Sequence, residues 1–111
     1  MDAMSDGNQL FIPASFTQLF VVPGTRKPSA SQAHIAARYE LCEDLAQLLT
    51  TRAAELQLRS DAHSGQVLEQ CLEGLSGPEA VVQDDEARWV VCRLAELMQW
   101  PAPPWQAQLD Q

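Results

Sequence analysis

Glu40, Glu43, Asp44 and Gln47 stand within about two helical turns and form the densest group of chemistry-bearing side chains in this sequence. Paired carboxylates at such spacing can bind a cation or exchange protons as acid and base. A helical di-metal site would add a His three residues after a Glu, and none follows here. The group therefore reads as a solvated acidic face. The chain's only lysine, Lys27, lies in Gly24-Thr25-Arg26-Lys27-Pro28. A phosphate-binding loop needs Gly directly before Lys and a hydroxyl directly after it. Arg26 and Pro28 hold those places, which excludes nucleotide hydrolysis by that route. Cys42, Cys71 and Cys92 are widely spaced, odd in number and without a Cys-x-x-Cys pair. With His34 and His63 they do not make the ligand spacing of zinc, and they read as reduced thiols. Cys42 and Cys71 fall on apolar stripes and Cys92 falls off one. Ser15, Ser31, Ser60 and Ser64 lack a Gly-x-Ser-x-Gly setting. The sequence thus assigns no catalytic, cofactor-binding or metal-ligating residue and points away from an enzyme.

Charge narrows the partners. The formal net charge of −8, with seven Lys and Arg residues spread along 111, argues against nucleic acid. It suits solubility, or a basic partner. The first residues, Met1 to Asp6, carry no hydrophobic run of a signal peptide, and no apolar stretch reaches the ~18 residues a bilayer span needs. The expectation is a cytoplasmic protein with no membrane association.

These side chains must be positioned by helices. Ile35, Cys42, Leu49 and Leu56 recur every seven residues, with Tyr39, Leu45, Ala46 and Ala53 between them. At about 100° per residue they share one face and predict a helix over 31–59, capped by Ser29 or Ser31. Leu49 lies near the centre of that stripe. Leu41 and Leu48 widen it, so this helix should touch two neighbours, with the stems of Arg38 and Arg52 lying over apolar surface. A second helix is expected over 64–75 (Val67, Leu68, Cys71, Leu72, Leu75), ended by Gly74 and Gly77-Pro78. A third is expected over 84–99 (Ala87, Val90, Val91, Leu94, Leu97, Met98), capped by Asp84 or Asp85, with Val81 and Val82 as a hydrophobic staple. Residues 10–22 form an apolar arm holding Phe11, Phe16 and Phe20, with Pro13 opening a short helix over 13–20. Pro23-Gly24 marks a turn, and residues 100–105 read as a stiff Pro/Trp tail. The fold class is all-α: one domain over 10–105, a small three-helix bundle with a short N-terminal helix or extended arm packed across it. Residues 1–9 and 106–111 are expected to be mobile.

Trp89, Arg93 and Trp100 lie roughly opposite the apolar stripe of the last helix, where a half-polar helix should not carry two Trp. Either the Phe-rich arm covers them with Arg93 stacked between rings, or they form a partner face with aromatic and Arg anchors. The three Phe residues need burial too, which favours the cover.

Three stretches carry a resemblance. They are Phe11-Ile12-Pro13-Ala14-Ser15-Phe16, then Arg38-Tyr39-Glu40-Leu41-Cys42-Glu43-Asp44-Leu45-Ala46, then Trp89-Val90-Val91-Cys92-Arg93-Leu94-Ala95-Glu96-Leu97 with Trp100-Pro101. In this order the chain resembles a family of small uncharacterised proteobacterial proteins, some of which carry the label ATPase with chaperone activity. The ATPase half of that label conflicts with the setting of Lys27. The resemblance implies a chaperone-like or interaction role and brings no site residues. The functional expectation is a protein–protein interaction module, an adaptor or chaperone-like regulator. The alternative is a homo-oligomer whose 35–56 stripe pairs with its own copy, and a small enzyme or ligand-binding protein ranks last.

Overall fold

The computed structural model describes residues 11–103 and 105. The expected mobile ends, 1–9 and 106–111, lie outside the described residues. The protein is all-α. A short arm helix α1 (Ala14–Thr17) runs into a 3-10 turn (Gln18–Phe20). It is followed by α2 (Gln32–Ser60), α3 (Ser64–Gly74) and α4 (Asp84–Met98).

Each boundary has a local cause. Ser31 Oγ accepts the His34 N–H and starts α2, and Asp61 at φ 51° ends it in the left-handed region. His63 caps α3 by accepting the Gln66 N–H on Nδ1. The cap of α4 is Gln83, one residue before the expected Asp84 or Asp85. Its N–H donates to Glu86 Oε1 at 2.8 Å, so Glu86 at the third position closes the first turn as in a capping box. Val82 before the cap and Ala87 after it are both buried in one cluster, the packing of a hydrophobic staple. Val81 is exposed.

At 29 residues α2 is about 44 Å long, whereas α3 and α4 have 11 and 15 residues. The buried residues of α2 are Ile35, Cys42, Ala46 and Ala53, mostly small, which lets its neighbours approach closely. Leu49, expected near the centre of the stripe, is only half-buried and sits at the edge of both core clusters. The reason is rotational: α4 packs on the line of Ala46 and Ala53, which turns Leu49 toward the rim. Helix α4 buries Glu86, Ala87, Trp89, Val90, Val91, Cys92, Leu94 and Ala95, nearly its whole circumference. It is the central element, wrapped by α2, α3 and the arm. Cys92, placed off the stripe by sequence, is therefore buried with Cys42 and Cys71. The tail folds back, with Pro103 buried and Trp105 against the cluster of Ala53, Val67, Leu68 and Leu94.

Candidate interaction surface

The arm meets α4 through one ring. Pro13 caps α1, its carbonyl accepting the Phe16 and Thr17 N–H groups, which sets Phe16, Leu19 and Phe20 toward the bundle. Phe16 is fully buried against Trp89 (ring centroids 5.1 Å apart, 79° between planes) and Tyr39 (5.5 Å, 69°). Tyr39 and Trp89 meet edge-on at 5.7 Å, and Phe20 leans on Phe16 and on the His34 ring. Edge-to-face arrangements put the positive ring edge on the negative face of the neighbour. Trp89 Nε1 donates to Ser15 Oγ at 3.0 Å, satisfying the indole N–H where the ring is only 4% exposed.

The proposed trio of Trp89, Arg93 and Trp100 is not one face. Trp89 is inside, beneath the arm. Trp100 lies beyond the helix end: Gln99 turns left-handed at φ 60°, the Trp100 N–H returns to the Ala95 carbonyl, and the indole joins the other core cluster. A helical wheel does not reach past that turn. Arg93 is engaged by carboxylates where a stack between rings was expected. Its Nε donates to Glu43 Oε1 at 2.9 Å, Nη2 to Glu43 Oε2 at 3.2 Å, and Nη1 to Glu96 at 3.0 Å. Of the arm residues, Phe16 is the anchor, Phe20 is half-buried and Phe11 is 81% exposed. Phe11 precedes the helix that Pro13 opens, so it misses the i, i+3, i+4 face of the other apolar residues.

Two contacts that the sequence reading missed tie α2 to α4. Arg38 Nε and Nη2 donate to the two Glu86 oxygens at 2.9 and 2.7 Å, and Nη2 also reaches the Val81 carbonyl. Glu86 is 1% exposed. Burial pushes its carboxyl pKa up, but the hydrogen bonds from Arg38 and the Gln83 N–H, with the charges of Arg38 and His34, outweigh that and hold it below the ordinary carboxylate value. Glu43 behaves the same way: burial raises it, and Arg93 and Gln47 hydrogen bonds bring it lower than usual. The acidic group of α2 is therefore divided. Glu43 is a structural ligand of Arg93 and Gln47, while Glu40 and Asp44 stay exposed. Since Arg38 pairs with Glu86 and Glu43 with Arg93, α2 and α4 run in the same direction. The spacing Gln83-x-x-Glu86 was the one signal that marked Glu86 in advance.

The other face of α2 is open. Leu41, Leu45 and Leu48, at i, i+4 and i+7, form a strip along its flank. Leu41 and Leu45 are half-buried against the core and Leu48 is 72% exposed. Glu40, Asp44 and Glu55 line the exposed side. Among the described residues no group of His, Cys, Asp and Glu could hold a metal ion, and no helix is long and apolar enough to cross a membrane. No family model matches the chain, no curated protein matches it, and no solved structure matches it.

Proposed function

We propose that this chain is a protein–protein interaction module that docks a basic amphipathic helix along the α2 flank. The observation that carries the reading is Leu48. It is a large apolar side chain 72% exposed at the end of a half-buried leucine strip, beside the exposed carboxylates Glu40, Asp44 and Glu55. Such a strip, with Glu40, Asp44 and Glu55 along one edge and Arg52 at its C-terminal end, suits a helix with apolar residues at i, i+3 and i+4 and Lys or Arg on the side that meets the carboxylates. The net charge of −8 steers a basic partner toward it. A chaperone-like role, which the sequence resemblance implies, is one form of this reading.

The test compares wild type with Leu48→Glu and with Glu40→Lys/Asp44→Lys, using tagged full-length chain cross-linked in its own cell. Neither variant should lower the melting temperature, because all three positions are solvent-facing. A partner recovered with wild type, lost with both variants and released by raised salt is the expected result. Equal recovery with all three proteins would refute the assignment of this flank.

A further inference from the structure

The connector between arm and bundle holds slack. Phe20 and Ser29 are nine residues apart, yet the Ser29 N–H donates to the Phe20 carbonyl at 2.6 Å. Between them the chain doubles back. Val21 pairs antiparallel with Pro28, and the Val22 N–H reaches the Lys27 carbonyl at 2.8 Å. The Thr25 N–H closes on the Val22 carbonyl over Pro23-Gly24, with Gly24 at φ 79° as the third residue of a type II turn requires. Every backbone hydrogen bond described for residues 21–28 is local to this loop, and residues 22–29 are exposed. Opened, the nine steps from Phe20 to Ser29 span about 30 Å.

The arm itself is seated as a separate element. Phe16 fills a socket made by Tyr39 and Trp89, and Ser15 receives the Trp89 indole N–H. Ile12, Leu19 and Phe20 pack at the rim of the same cluster. The one sequence that this socket demonstrably fits is the arm of this chain. We propose that the arm is exchangeable between copies. In a symmetric dimer each copy's residues 11–20 occupy the other's Tyr39–Trp89 socket, and the 20–29 loop opens to supply the reach. Reciprocal exchange keeps every arm–socket contact and gives up only the local bonds of the loop, which makes it a low-cost route to a dimer. The inference is independent of the α2 flank. It uses neither Leu48 nor its acidic rim.

The experiment uses two singly labelled full-length proteins. A donor dye sits at Gln18→Cys, exposed on the arm, and an acceptor at Arg88→Cys, exposed on α4. The three native thiols are buried, which directs labelling to the new site. The two are mixed across a concentration series, with sedimentation velocity run in parallel. In a control pair residues 23–26 are replaced by Asn-Gly, so that Val22 and Lys27, already joined by a backbone hydrogen bond, flank a two-residue hairpin turn that favours the closed loop and shortens the connector. Exchange predicts energy transfer that grows with concentration alongside a dimer peak. The control pair should need at least about tenfold more protein to reach the same transfer, because the Asn-Gly turn holds the loop closed. A monomer without transfer at millimolar protein overturns the proposal. So does transfer that is unchanged in the control pair, because association would then use another face. Near-ultraviolet circular dichroism checks that the control keeps the aromatic cluster, and the alternative control, Pro23→Ala/Gly24→Ala with the full loop length, should retain exchange.

Discussion

Arg38–Glu86 and Glu43–Arg93 cross the same seam between α2 and α4, yet they stand in different surroundings. In the first, α2 supplies the cation and the carboxylate lies inside, its side chain 2% exposed against 25% for Arg38. In the second, α2 supplies the anion and both partners keep water access, at 33% for Arg93 and 19% for Glu43. Glu86 also closes the first turn of α4 through the Gln83 N–H, so one carboxylate links helix start, helix pairing and the Val81 loop. Arg93 instead shares its charge between Glu43 and the surface residue Glu96. Similar chemistry thus does different jobs. A buried pair is costly to break because the partner left behind loses its hydrogen bonds, whereas an exposed pair exchanges them for water.

The largest expected effect follows from the buried corner. Glu86→Ala should cost on the order of 2–4 kcal/mol in a urea melt, toward the low side because Arg38 can still reach water. A loss below about 0.5 kcal/mol would put this pair in the class of surface ion pairs and erase the contrast.

Cys42 gives a local readout of the same corner. Burial above all, with Glu86 adding to it, pushes its thiol pKa up to about 12. In the native protein it should label slowly and through opening of the bundle. Glu86→Ala should speed Cys42 labelling by about 30-fold or more, following the lost stability, while Arg93→Ala leaves it within about fivefold. Cys92, also buried, should be slow in the native state, and fast labelling there would contradict the wrapped position of α4.

Acid separates the pairs further. Glu86 and Glu43 both sit below the ordinary carboxylate value in the folded chain. A lowered folded pKa contributes stability that is full above the unfolded value of about 4.3 and lost as pH falls through the folded one. Melting temperature should therefore be flat near neutrality and drop below about pH 4. Glu86→Gln should flatten that acid limb more than Glu43→Gln. An acid limb unchanged by either substitution would place its origin in other carboxylates.

The smallest effect belongs to the exposed clasp. Arg93→Ala should cost about 0.5–1 kcal/mol, and this difference should shrink in molar salt, where exposed charges are screened. A salt-independent loss above about 2 kcal/mol would show that Arg93 acts as a buried residue does.

Much of the fold was legible because it rests on local rules. The seven-residue recurrence of Ile35, Cys42, Leu49 and Leu56, the Ser31 cap and the Pro23-Gly24 turn are properties of short segments, and each helix formed where its periodicity is written, although the face of α2 that is fully buried runs through Ala46 and Ala53. The misplacement of Trp89 and Cys92 has one origin. The sequence reading gave α4 a wet side, and on that basis set Trp89 and Cys92 apart from the core. A helix wrapped by α2, α3 and the arm keeps only a narrow exposed strip at Arg88 and Glu96, and only its neighbours reveal this.

The candidate site divides the same way. Sequence marked Phe16 and Trp89 as rings in need of partners, and it marked the breadth of the leucine strip on α2. By itself it determined the helices, the Ser31 cap of α2 and the acidic balance, because propensity, capping and charge act within a few residues. Only the tertiary structure decided that Phe16 rather than Phe11 enters the bundle, that Glu43 is taken by Arg93 while Glu40 stays free, and that Leu48 is left outside. Those outcomes depend on the rotation of α2 against α4 and on where α3 and the arm come to rest. Such quantities are set by packing between residues about 50 positions apart, as Arg38 and Glu86 are at 48 and Glu43 and Arg93 at 50, and no local pattern encodes them.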